Sequence, residues 1–176
     1  MSTLPGVLAI VALLLANAGF VAAEFSLVAV DRARVEAAAE AGSAPDVRVR
    51  RLLRRLTTHL SGAQFGITVS ALLLGFVAEP TVARLLTGTA HSTGFSLVLA
   101  VVMATVLHLV FGEQVPKYIA LAAPGRTARR LAPAVALYGV VTRPLVILLN
   151  RSANALVRSL GIQPREELGA SHTLDE

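Results

Sequence analysis

Glu113 stands in Phe111-Gly112-Glu113-Gln114-Val115-Pro116-Lys117, a carboxylate within mostly apolar residues and three positions before a proline. A proline in a helix has no N–H to donate, and its ring clashes with the carbonyl four residues back, here that of Gly112. The helix is therefore expected to kink or unwind and free backbone carbonyls beside the carboxylate. Such an all-oxygen site suits a hard cation: Mg²⁺, Ca²⁺ or Na⁺. The same spacing permits another outcome, since Lys117 follows Glu113 by four positions, the separation of a helical ion pair.

Other polar residues also interrupt apolar sequence. Gln64 and Thr68 are four apart and share a helix face; Ser61 lies near that face and Ser70 off it. Such residues offer neutral oxygens to an ion or hydrogen bonds to neighbouring helices, and the second use is the expectation for Ser70. Asn17 and Glu24 are seven apart and again share a face, with Asn17 the deeper. For Glu24, pairing with a nearby arginine such as Arg32 is expected ahead of a functional role. The small residues Ala16, Ala18, Gly19, Ala22 and Ala23 suit close helix contact, dimerisation included. His108 reads as a packing histidine outside the ion site. No phosphate-binding glycine loop, dinucleotide fingerprint, zinc-protease helix motif or nucleophile elbow occurs, so no enzymatic activity is expected.

Four apolar stretches must position these groups: about Leu4 to Val30, Gly62 to Leu86, Phe95 to Ile119 and Leu131 to Leu149. A helix needs about 20 apolar residues to cross a bilayer. Hydrophobic residues make up 55% of the 176, which is too much for one aqueous core of this size and identifies an all-α integral membrane protein. The first stretch lacks a basic leader region and exceeds the apolar core of a signal peptide, so it is expected to be a span. Glu79–Pro80 marks an interface or bend, and Gly88, His91, Ser92 and Gly94 a short polar loop. Residues 31–60 carry seven arginines and read as two short amphipathic helices, broken near Gly42–Pro45, at the membrane surface, or else as a solvated loop. Cysteine is absent, which excludes disulfides and thiolate metal sites. Net charge is +5, but the arginines cluster between apolar segments, as for anionic lipid, and no tryptophan offers a base-stacking platform. No nucleic-acid partner is expected.

Charge placement arbitrates topology. Of the 16 Lys and Arg, seven lie in 31–60, only Arg84 between the second and third stretches, four in 117–130 and four from Arg143 onward. The positive-inside rule then puts the N-terminus outside and both 31–60 and 117–130 in the cytosol. A fourth span would carry Arg151, Arg158 and Arg165 outside. The expectation is three transmembrane helices plus a juxtamembrane belt helix along the inner interface, with a cytosolic C-terminus; four spans are the alternative. Residues 1–162 form this domain and 163–176 a polar linker.

Three segments carry a family resemblance. Asn17-Ala18-Gly19-Phe20-Val21-Ala22-Ala23-Glu24-Phe25-Ser26-Leu27 resembles the first-helix signature of the cyclin M/CorC (HlyC/CorC, CNNM) transmembrane domain. Ser61-Gly62-Ala63-Gln64-Phe65-Gly66-Ile67-Thr68 is similar to its second-helix signature, and Phe111 to Lys117 to its Gly-Glu-x-x-Pro-Lys motif. Order and spacing match over nearly the whole chain. The departures are Val21 and Ala23, where many members carry small hydroxyl residues, and Ala63-Gln64, where many carry an Asn pair. The resemblance implies a plasma-membrane homodimer of three-span subunits that transports Mg²⁺, exporting it against inward Na⁺. It also implies a cation site made of Asn17, Gln64, Thr68, the Gly112 backbone and Glu113. Members usually continue into cytosolic CBS domains. The rival expectation is a non-transporting Mg²⁺ sensor or scaffold that regulates another transporter.

Overall fold

The computed structural model describes residues 3–87 and 94–161, and these form helices joined by short turns. In chain order they are α1 (Thr3–Ala29), α2 (Arg32–Glu40), α3 (Ala44–Leu53), α4 (Leu56–Thr87), α5 (Gly94–Leu107), a π-helical segment (His108–Gln114), α6 (Val115–Ala122) and α7 (Pro124–Ser159). Of the polar loop expected around Gly88, His91, Ser92 and Gly94, Gly94 opens α5, while residues 88–93 and the linker expected at 163–176 lie outside the described residues.

The basic segment folds as two short helices broken where the sequence predicts. Asp31 caps α2, its carboxylate accepting the Arg34 N–H at 3.1 Å. Gly42, at φ +88°, takes the left-handed conformation that ends this helix, and Pro45 sits in the first turn of α3, where its missing N–H costs nothing. Val35 and Ala39 on α2 and Val49 and Leu52 on α3 are buried.

The long helices present a different surface. Leu72, Phe76 and Phe95 are 70%, 81% and 80% exposed, and large apolar side chains turn outward along α1, α4, α5 and α7. Water would not tolerate so much apolar area, whereas hydrocarbon is its natural solvent. The chain is a multi-pass membrane protein. Four helical stretches are long and apolar enough to cross: Thr3–Ala29, Leu56–Leu85, Leu97–Ala122 and Pro124–Ser159. The fourth apolar stretch, expected to lie along the interface, is the middle of α7, a 36-residue helix that continues through Pro133 and Pro144. Length and composition admit four spans where the charge count admits three.

One cluster of buried apolar residues gathers where α1 ends. Leu27 and Val30 at the end of α1 pack with Val35, Val49, Leu52, Ala128 and Ala132, drawn from α2, α3 and α7. An ion pair locks this cap: Arg129 donates to Asp46 at 3.1 Å, and Ser43 donates to the other carboxylate oxygen. Asp46 is 4% exposed, and the Ser43 hydroxyl, helped by Arg129 and Arg34, holds its carboxyl below the usual aspartate range despite burial. Asp46→Asn should therefore cost about 1.5 kcal/mol at neutral pH, the low end for a charged hydrogen bond because the Arg129 side chain is 43% exposed. The folded-state pKa is the lower one, so on acidification the unfolded chain takes up this proton first. The contribution is full above the unfolded aspartate value, about pH 4, and disappears as pH falls through the folded value. Thermal unfolding of both proteins across this range should show their stability difference shrinking at the acidic end.

Candidate functional site

The third span changes its winding just before Pro116. Over His108–Gln114 it forms a π-helix, and the Val115 N–H reaches back five residues to the Val110 carbonyl. In an α-helix the Gly112 carbonyl would accept from residue 116, but that residue is proline. The missing donor comes from another helix, as Asn17 Nδ2 of α1 donates to Gly112 O at 3.0 Å. A carbonyl can only accept, so the amide nitrogen must face it and Asn17 Oδ1 faces the other way. That oxygen accepts from Ser70 Oγ of α4 at 2.7 Å, and Ser70 shares its single proton with Gly66 O, also 2.7 Å away. Asn17 is 1% exposed and ties its own helix to the third span and to α4.

Close approach at Gly112 is part of this arrangement. A Cβ added there would lie 2.8 Å from His108 Cδ2 and 3.0 Å from Asn17 Nδ2. Gly112→Ala is expected to destabilise the detergent-solubilised protein by about 1–3 kcal/mol in thermal unfolding, the usual cost of overpacking.

Beside this contact a cleft of about 260 Å³ opens between α1, α4 and the third span, lined by Glu24, Gln64, Glu113, Gln114 and Lys117 over Val21, Phe25 and Ile67. Glu113 Oε1 stands 3.7 Å from His108 Nε2, too far for a hydrogen bond, and that buried nitrogen has no hydrogen-bond partner among the described residues. Lys117, the alternative partner for Glu113, instead places its Nζ 5.0 Å from the centroid of the Phe25 ring. Among the described residues no three His, Cys, Asp or Glu side chains converge as a metal cluster. The donors of the cleft are two carboxylates and two side-chain amides, an oxygen-rich set suited to a hard, partly hydrated cation.

The five residues expected to form the site are thus divided. Gln64 and Glu113 line the cleft. Gly112 and Asn17 lie behind it, bonded to each other. Thr68 is exposed, and its hydroxyl bonds Gln64 O of its own helix at 2.9 Å. Glu24, expected to pair with Arg32, lines the cleft instead; its seven-residue spacing from Asn17 was the available signal. Ser70 acts by helix–helix hydrogen bonding, as its residue type suggested.

Residues 8–176 match the cyclin M transmembrane N-terminal domain. The chain belongs to that family. It is 45% identical over 174 residues to Uncharacterized protein MT1889 of Mycobacterium tuberculosis (strain CDC 1551 / Oshkosh), covering 96% of this chain and 50% of that protein. It is 43% identical over 182 residues to UPF0053 protein MT1890 of the same strain, covering 99% of this chain and 40% of the relative. UPF0053 protein YhdT of Bacillus subtilis is 31% identical over 170 residues, covering 91% and 36%. The chain spans about half the length, or less, of these curated relatives. Within this cyclin M domain the three signature segments lie on α1, α4 and the third span, and together they enclose the cleft.

Proposed function

We propose that this cyclin M domain is a transporter, not an enzyme, and that it carries Mg²⁺ through the cleft of Glu24, Gln64 and Glu113. The observation behind this reading is the pairing of two carboxylates with amide oxygens in a cleft of about 260 Å³, beside a helix whose ladder is broken by proline. Charge in a spanning segment is costly, and its usual return is an ion path. Mg²⁺ gives up its waters reluctantly, and a cleft this size holds an ion with part of its shell, each water occupying about 30 Å³. Glu113 supplies charge and Gln64 a neutral oxygen. Asn17 holds the π-turn in place and Gly112 keeps it close-packed. Thr68 belongs to the path only if α4 rotates.

The topology we favour has three spans, with α7 as a belt on the inner face of the plasma membrane, the N-terminus outside and the C-terminus cytosolic. Arg151 and Arg158 near the end of α7 support it, because a crossing α7 would take their charge to the wrong side. Rocking of two subunits of a homodimer would expose the cleft to each face in turn, with inward Na⁺ driving Mg²⁺ out. Purified protein in liposomes with an internal Mg²⁺-sensitive dye tests this directly. Flux that depends on a Na⁺ gradient is the expected result. Saturable Mg²⁺ binding without flux would replace transport by the sensor or scaffold reading.

A further inference from the structure

We propose that the basic end of the domain binds the phosphate of an anionic phospholipid headgroup, a site independent of the transport cleft. A pocket of about 400 Å³ opens where two apolar helices end together: Val30 directly follows α1, and Ala123 separates α6 from α7. That position is the level at which hydrocarbon gives way to headgroups.

Arg34 of α2 and Arg126 and Arg129 of α7 line the pocket. Two carboxylates line it as well, and both are engaged. Asp46 accepts from Arg129 at 3.1 Å and from Ser43, and Asp31 accepts the Arg34 N–H at 3.1 Å. The Arg34 and Arg126 guanidiniums have no carboxylate within 4.0 Å among the described residues. Two planar forks outside any direct ion pair, over an apolar floor of Val30 and Val35, match a compact oxyanion carried on an apolar body. The first turn of α7 adds the N–H groups of Gly125 and Arg126, which have no acceptor within the helix. Basic pockets at the ends of spans are suited to lipid phosphate by their depth and by the field of an anionic leaflet. Free phosphate shares the anion chemistry but not the depth.

The full chain, purified in detergent, can be titrated with dioleoylphosphatidylglycerol or dioleoylphosphatidylcholine and bound lipid read by native mass spectrometry. Wild type should retain the anionic lipid at least about tenfold more tightly. Each arginine beside an anionic surface is worth roughly fivefold, so the pair Arg34→Gln with Arg126→Gln should weaken binding about 25-fold. Arg151→Gln, exposed on α7 outside the pocket, should leave it unchanged. Inorganic phosphate should not displace the lipid at matched concentration. Equal retention of the two lipids by wild type overturns the proposal, as does wild-type affinity in the double variant. Displacement by inorganic phosphate also overturns it and reassigns the pocket to the free anion. The wild-type comparison needs no variant, so a folding defect cannot decide the outcome.

Discussion

Glu113→Gln should reduce Mg²⁺ flux in liposomes at least about tenfold while leaving the fold intact, because one charged contact to the ion is worth about 1.5–3 kcal/mol. The substitution keeps the shape and one oxygen of the side chain and removes only its charge. His108 Nε2 stands 3.7 Å away, beyond hydrogen-bond reach, so the fold does not depend on that contact. Gln64→Ala should cost less, since it removes a neutral donor for which water can substitute. If Glu113→Gln transports at the wild-type rate with normal yield, the cleft is not the ion path.

Asn17→Ala should destabilise the protein by about 2–3 kcal/mol, above the ~0.6 kcal/mol typical of an interhelical hydrogen bond in a membrane. The typical value is small because a freed group usually finds another partner. Here the Gly112 carbonyl is buried, and its own helix offers a proline in place of the donor. This makes a sharp double-mutant test. Pro116→Ala restores an N–H to which Gly112 O can bond, so it should recover part of the stability lost in Asn17→Ala. Coupling between the two of about 1 kcal/mol or more is expected for residues sharing one acceptor. Strict additivity in thermal unfolding would show that Asn17 does not stand in for the missing donor. The same variants connect structure to function: if Asn17 holds the π-turn that presents Glu113, Mg²⁺ flux should fall with Asn17→Ala and recover partly in the double variant.

Residues close in sequence revealed most about backbone. The Gly42–Pro45 break was legible because Gly42 tolerates the left-handed turn and Pro45 tolerates only a helix start. The disturbed third span was legible because Pro116 removes a donor whatever surrounds it. Side-chain partners were less legible. Gln64 and Thr68 share a face by spacing, yet the Thr68 hydroxyl bonds back to Gln64 O and Thr68 is not among the residues lining the cleft. Lys117 had the spacing to pair with Glu113, yet it lies over Phe25 of another helix.

The sequence by itself therefore determined an apolar, helical, membrane-crossing chain, with a carboxylate beside a carbonyl that its own helix cannot satisfy. Those features follow from covalent constraints and from transfer of side chains to lipid, which act locally. Only the tertiary structure decided that Asn17, 95 residues away, takes up the Gly112 carbonyl, and that Glu24 joins Gln64 and Glu113 around one cleft. Those outcomes depend on how three helices rotate and approach one another, and nothing in the spacing along a single helix fixes that.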